Sequence, residues 1–379
     1  MQEQNTQKGG EKSFLFAACF VALVATSFAF MIRAMLLEDW QIAFGLSETQ
    51  KGEITGAGMW PFGLSIVLFS LVIDKIGYGR SMIFAFVCHL VSAILMVTAR
   101  GSSGYAFLYF GSFLNGLAAG TVEAVINPAI ATMYPKEKTK RLSMLHAGWP
   151  GGFVLAGITI MLMGKGMDWH VKAGIILIPV VAYGAMLLRC KFPVSERVEA
   201  GVSYKEMLKE PGAIGALIVV YMLVMEITRV FSAITGVMVP ELMKYALIIL
   251  IPVGYYMYTR SLGKPMYIFL LLVMILLATT ELGTDAWIKE LMGPAMGKLS
   301  DQIGIDISPG WVLIYTAFIM MVLRFCIGPI ERLLRPLGVL LMSSLFAAVG
   351  LFFLSKAQGV MILVMATIYG TGQCFFWPV

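Results

Sequence analysis

The sequence predicts an all-α integral membrane protein, and three observations carry that prediction. Of its 379 residues, 59% are hydrophobic and 13% charged, against about 25% charged in soluble domains, and the mean hydropathy is +0.84. The apolar residues come in repeated runs of about 20, the length a helix needs to cross about 30 Å of hydrocarbon. The chain lacks the regular two-residue alternation of a transmembrane barrel.

The elements follow in order. Residues 1–12, MQEQNTQKGGEK, read as a polar cytoplasmic tail. The run from Ser13 to Leu37 is too long for a signal peptide and lacks its small-residue cleavage pattern, so it stays as the first span. Gly, Pro and charge clusters then mark twelve spans near 13–37, 54–73, 81–99, 105–134, 142–164, 171–189, 213–235, 243–259, 266–284, 311–330, 336–354 and 358–379. These group as an N-terminal set at 13–189, a polar connector at 190–212, a pair at 213–260 and a remainder at 261–379. Within the connector, YKEMLKE reads as a short surface helix. The last span stops at Val379 without a polar flank, which reads as a chain cut short.

Lys and Arg set the orientation. With the N-terminus cytoplasmic, inner loops hold about twice as many of them as outer loops, as the positive-inside rule requires. A multi-pass protein of the inner (plasma) membrane is expected, and the lipid bilayer accounts for the net charge of +6 with no nucleic acid. Cys19, Cys88, Cys190, Cys326 and Cys374 are scattered, without the pairing of a metal site or disulfide framework. The sequence shows no H-E-x-x-H, no G-x-S-x-G and no phosphate-binding G-x-x-x-x-G-K-S/T, so neither an enzyme, a cofactor nor ATP as an energy source is indicated. Asn127-Pro128-Ala129 is a single pore-type triplet where facing half-helices would need two.

The informative polar residues lie inside the spans. In NGLAAGTVEAVINPAIATMYP, Glu123 places a carboxylate where it costs about 2.5–3.5 kcal/mol at mid-bilayer. Glu123 and Asn127 are four apart and share a helical face, with Asn115 and Gly116 two turns earlier near the same side. A carboxylate and an amide facing a cavity can bind hydroxyl groups, and the carboxylate can carry a proton. The alternative is a buried ion pair, with Arg33 as its partner; a pair that opens on protonation would serve both readings.

The opposite half supplies LLATTELGTDAWIKELM, with Glu281 and Asp285 again four apart and Trp287 close behind. Asp285 falls near the water edge of its span, and Trp287 suits either an interface or a stacked solute. Gln373 and Trp377, four apart in YGTGQCFFWPV, are placed to line a cavity opposite Glu123. Arg324 is a further intramembrane charge, Glu226 and Arg229 can satisfy each other at three apart, and His146 with Trp149 in LSMLHAGWPGG reads as packing. GLAAG at 116–120 is a G-x-x-x-G pattern of closely packed helices.

FGLSETQKGEITGAGMWPFGLS followed by SLVIDKIGYGRSM resembles the major facilitator superfamily. In that superfamily the loop between helices 2 and 3 reads G-x-x-x-D-R/K-x-G-R/K-R/K. Asp74, Lys75 and Gly77 match, Ser70 replaces the leading glycine, and the terminal basic pair is reduced to Arg80. GPIERLLRPLG, with Glu331 and Arg332, is similar to the weaker copy between helices 8 and 9. The resemblance implies a bundle of two pseudo-symmetric six-helix halves, with Asp74, Lys75, Gly77 and Arg80 in one gating loop and Glu331 and Arg332 in the other. Counted from those loops, 213–260 is an inserted helix pair and the last two core helices are missing; the rival count takes the twelve spans as complete.

Helix 4 with its Glu123, Asn127 and Pro128, then PKEKTKR, is similar to the fucose/proton symporter group and its sugar-transporting relatives. The group's helix 1 acid is absent here, and Arg33 stands near its place. The resemblance implies a monomeric secondary transporter working by alternating access. It would move a small polar solute, a sugar or polyol favoured, with a proton or sodium gradient. An exporter of drugs or organic acids, or a transporter-like sensor, is the alternative.

Overall fold

The computed structural model describes residues 2–164, 166–305, 307–334 and 336–377, with the side chains of all but 2–8, 196, 234, 331, 332 and 336 among them. All regular structure among the described residues is helical. The chain forms two compact units, Met1–Ser195 together with Glu281–Val379, and Glu196–Thr280.

The first unit opens with α1 (Gln2–Phe44), so the stretch read as a tail is helical from its second residue; its Gln, Glu and Lys residues are good helix formers. Next come α2 (Glu48–Ala57) and α3 (Trp60–Ile76). A reciprocal capping box starts α2, with Ser47 and Gln50 each accepting the other's backbone N–H at 3.2 and 2.9 Å. Pro61, in the first turn of α3, supplies no backbone N–H, which suits the break at Gly58 and Met59. Gly77 alone joins α3 to α4 (Tyr78–Thr98), at φ +87°, a conformation that a side chain strongly disfavours.

Then follow α5 (Gly104–Met133), α6 (Lys138–His146), α7 (Gly148–Met163), α8 (Trp169–Gly174) and α9 (Leu177–Leu187). Two of the G-x-x-x-G residues let α5 press against α3. A Cβ on Gly116 would lie 2.8 Å from the Gly58 carbonyl, and one on Gly120 only 2.1 Å from that of Phe62. On α7, a Cβ at Gly152 would meet Ser27 Oγ of α1 at 1.8 Å. Small residues at these crossings replace the hydrophobic drive that lipid removes.

The second unit holds α10 (Glu196–Glu199), α11 (Tyr204–Lys209), α12 (Gly212–Thr235), α13 (Glu241–Thr259) and α14 (Pro265–Ala278). Ser203 caps α11 by accepting the Glu206 N–H at 3.2 Å. The loop after α13 ties back to it: Ser261 Oγ donates to the Lys209 carbonyl and Tyr255 OH to that of Leu208, both at 2.8 Å. On α12, Arg229 donates to both oxygens of Glu226, at 2.5 and 3.1 Å.

A π-helical turn, Thr279–Gly283, leads into α15 (Thr284–Ile303). The span expected to end at 284 therefore continues to Ile303. In its first half Asp285 is buried, and Lys289 Nζ donates to Met35 O at 3.1 Å and to Glu38 Oε2 at 2.9 Å, while Lys298, Asp301 and Gln302 near its end are exposed. The chain ends in α16 (Gly310–Phe325), α17 (Ile327–Leu333), α18 (Pro336–Leu354) and α19 (Met361–Gln373). Antiparallel packing of α16 on α7 joins the N- and C-terminal parts of the first unit, with Gly157 against Ile314 and Gly310 against Met161. Among the described residues, nine helices are long and apolar enough to cross a membrane.

Candidate functional site

Asp74, at the end of α3, accepts a 2.5 Å hydrogen bond from Ser195 Oγ, so the loop after α3 is held by the start of the connector. Lys75 and Arg80 are exposed. The side chains of Glu331 and Arg332, expected at the second gating loop, lie outside the described residues.

Inside the bundle, Asn127 Nδ2 donates to Glu123 Oε2 at 2.8 Å and to the Glu123 carbonyl at 3.1 Å. Asn127 Oδ1 meets His146 Nε2 at 2.8 Å, and that nitrogen lies 3.9 Å from Glu123 Oε2. Glu123, Asn127 and His146 thus form one chain across α5 and α6. It continues through the backbone, because Arg324 Nη1 of α16 donates to the His146 carbonyl at 2.9 Å. Arg324 also donates through Nε to Cys374 O at 2.6 Å and through Nη2 to Glu281 Oε1 at 3.3 Å. Arg324 and Glu281 are fully buried. A guanidinium can hold three separate acceptors in this way because its donors form a fixed planar fork.

Two cavities flank this arrangement. One is lined by Phe62, Glu123, His146, Trp149, Leu282, Arg324 and Trp377. The other is lined by Phe30, Arg33, Ala34, Thr55, Phe153, Leu282, Asp285, Ala286 and Leu313. Leu282 borders both. Between them runs an aromatic layer: Phe30 and Trp149 have ring centroids 5.0 Å apart, Trp149 and Phe153 5.4 Å, and Phe62 and Trp377 6.2 Å. The order of residues along α1, α7 and α16 puts the Arg33 cavity nearer the Phe44 end of α1.

Burial without bonding is most marked at the Arg33 cavity, although Trp149 Nε1 on the other is also without a partner. Arg33 Nη1, Thr55 Oγ1 and both carboxylate oxygens of Asp285 are buried and have no hydrogen-bond partner. Gln373 of α19 approaches Asp285, but neither its oxygen nor its nitrogen reaches hydrogen-bonding geometry. Such atoms are rare in native structures and call for an explanation.

Several expectations are corrected by this geometry. Arg33 does not pair with Glu123: it lines the other cavity, with Asp285 on the same wall set and an aromatic layer in between. Asp285 is buried, not at the water edge. Trp287 lines neither cavity, and Asn115, although buried, also lines neither. Gln373 lies beside Asp285 rather than opposite Glu123, where Trp377 is found. Sequence reasoning missed His146 as a site residue and ranked Arg324 low. The available signal was that His146 and Trp149, three apart at a helix break, turn toward one side, and that an arginine deep in a span needs a partner.

A helical membrane bundle with charged residues enclosed between its two parts is the class that fold and site define. The chain belongs to the Major Facilitator Superfamily, whose family model matches residues 14–379. Over 172 residues it is 23% identical to the cis,cis-muconate transport protein of Acinetobacter baylyi, a match covering 45% of this chain and 40% of that one. The chain's matched part thus spans less than half the length of that curated relative. Its fold resembles the proton:xylose symporter XylE bound to 6-bromo-6-deoxy-D-glucose, with TM-score 0.64 and 13% identity over 98% of this chain and 81% of that one. It also resembles the transporter FucP in the outward conformation, with TM-score 0.60 and 14% identity over 94% and 82% of the two chains. At these identities the likeness is one of fold.

Proposed function

We propose that the protein is a secondary active transporter that moves a small polar solute by alternating access, driven by a proton or sodium gradient. The observation that carries this reading is the pair of cavities, one of them lined by four buried polar atoms that no protein group satisfies. A structural core would pair such atoms, whereas a solute site leaves them for the passenger.

The charges support cation coupling. Glu123, Glu281 and Asp285 face Arg33 and Arg324, so the carboxylates outnumber the guanidinium groups. An unbalanced charge inside a membrane protein is costly, and a bound proton or cation on the Glu123–His146 side would balance it. The loop holding Asp74 is the inner gate in this reading, with Ser195 tying it to the connector, and Lys289–Glu38 fastens the other end.

A sugar or polyol suits the aromatic walls, and XylE, of like fold, is a xylose symporter. A second reading, an organic acid, is favoured by the unsatisfied Arg33 and by the cis,cis-muconate transport protein as a relative.

The test is uptake and counterflow by the full-length protein in proteoliposomes under imposed proton and sodium gradients. Saturable, gradient-driven accumulation is expected, and its absence for every solute and both ions would refute transport. Glu123→Gln is expected to abolish proton-driven accumulation while exchange persists; uptake with an unchanged pH dependence would remove Glu123 from the coupling step.

A further inference from the structure

Resting on the transporter reading above, we propose that the Arg33 cavity binds a carboxylate carried on a hydroxylated body, so that the solute is a sugar acid rather than a neutral sugar. The guanidinium is built for an anion. Its Cζ stacks 4.5 Å over the Phe30 ring, and its other side is so close to the backbone that a Cβ on Gly58 would lie 1.7 Å from Nη1 and 2.4 Å from Cζ. The plane of the group is therefore fixed. Nη1 is left buried without an acceptor, and a fixed planar fork matches the two oxygens of a carboxylate.

The protein's own carboxylate does not take that place. Asp285 lines the same cavity, yet both its oxygens are without a partner, so the two charges face a common space unbonded. A neutral sugar would leave Arg33 Nη1 with no charged acceptor at bonding distance, a loss that buried arginines rarely bear. A plain dicarboxylate would bring negative charge against Asp285. A molecule with a carboxylate at one end and hydroxyls at the other satisfies both walls.

The remaining groups select hydroxyls over an ammonium. Thr55 Oγ1, on the cavity wall, is unpartnered, and a hydroxyl can both donate and accept. A hydroxyl offers both roles, whereas an ammonium only donates. Asp285 accepts from hydroxyls, and the apolar face of the body rests on Phe30 and Phe153.

The experiment is equilibrium binding of radiolabelled D-glucuronate and D-gluconate to the full-length protein in lipid nanodiscs, with D-glucose and L-serine as competitors. Saturable binding of at least one of the two acids is expected, with neither competitor displacing it at 100-fold excess. Arg33→Gln is expected to weaken it about 100-fold, within the range for truncating one member of a buried charge pair. Arg33→Lys, which keeps the charge but not the fork, is expected to weaken it less, and thermal melting of both variants separates lost binding from lost folding.

Displacement by D-glucose, displacement by L-serine, no binding of either acid, or wild-type affinity in a folded Arg33→Gln protein would each overturn the proposal. Counterflow distinguishes the two readings. Flux of D-glucose or L-serine but of neither acid overturns the sugar-acid assignment alone; no flux of any solute overturns transport as well.

Discussion

Replacing Arg324 by Met tests whether the guanidinium is the clasp of the bundle. The side chain is fully buried and gives hydrogen bonds to Glu281 Oε1, His146 O and Cys374 O. Removing one member of a buried ion pair costs about 3–5 kcal/mol, because the other charge is left uncompensated. Each carbonyl that loses its donor adds about 1–3 kcal/mol unless it finds another. Against a total stability of about 5–15 kcal/mol, Arg324→Met should therefore remove a third or more of it. Adding Glu281→Gln to Arg324→Met eliminates the uncompensated charge and should return most of the ion-pair cost, leaving the carbonyl losses. Unfolding of the four proteins of this cycle in nanodiscs can be followed by the fluorescence of Trp149 and Trp377, which line the same cavity as Arg324. A single variant as stable as the parent, or a double variant whose loss equals the sum of the singles, would refute the clasp.

Two glycines should respond differently. At Gly58 the added methyl would overlap the Arg33 guanidinium, so Gly58→Ala should displace that group and weaken solute binding while melting changes little; unaltered affinity would contradict this. At Gly120 it meets the backbone of Phe62 at 2.1 Å, which no rotamer relieves, so Gly120→Ala should destabilise by about 1–3 kcal/mol, and an unchanged melting temperature would count against close packing of α3 on α5. Outside the spans, the Asp168 carboxylate is held below its usual range, first by the backbone N–H of His170 and then by its ring. A depressed carboxylate pKa adds stability above the unfolded value, about 3.9 for Asp, and loses it as pH falls through the folded value. Melting curves of Asp168→Ala should therefore run parallel to the parent from pH 5 to 8 and converge only in stronger acid; convergence near neutrality would contradict that order.

The helices were legible because the bilayer leaves few options: a span must be long, apolar and internally bonded. Length alone misread α15. Asp285, Lys289 and Glu290 look like a water-facing end, whereas tertiary packing buries Asp285 and gives Lys289 the Met35 carbonyl and Glu38 as acceptors. The Glu123–Asn127 face was legible from i, i+4 spacing, and the structure bonds the two side chains directly. The cavity that Arg33 lines was not, since spacing gives the face of a helix but not which cavity that face meets. His146 went unread for a related reason: it acts through an amide on α5 and a backbone carbonyl given to α16, contacts with no pattern in the chain.

Glu281 and Asp285 show why the π turn matters. One lies in the turn and bonds to Arg324, which lines the cavity with Glu123; the other lies two residues beyond it and faces Arg33. Leu282, between them, forms a wall of both cavities. In a regular α-helix, residues four apart stack on one face, and the wider π turn gives the two carboxylates separate destinations instead. Charge arriving in either cavity therefore acts on a carboxylate of the same short segment. On the proposed transport reading, a solute beside Asp285 and an ion in the Glu123 cavity would communicate through one turn of backbone, with no long path needed.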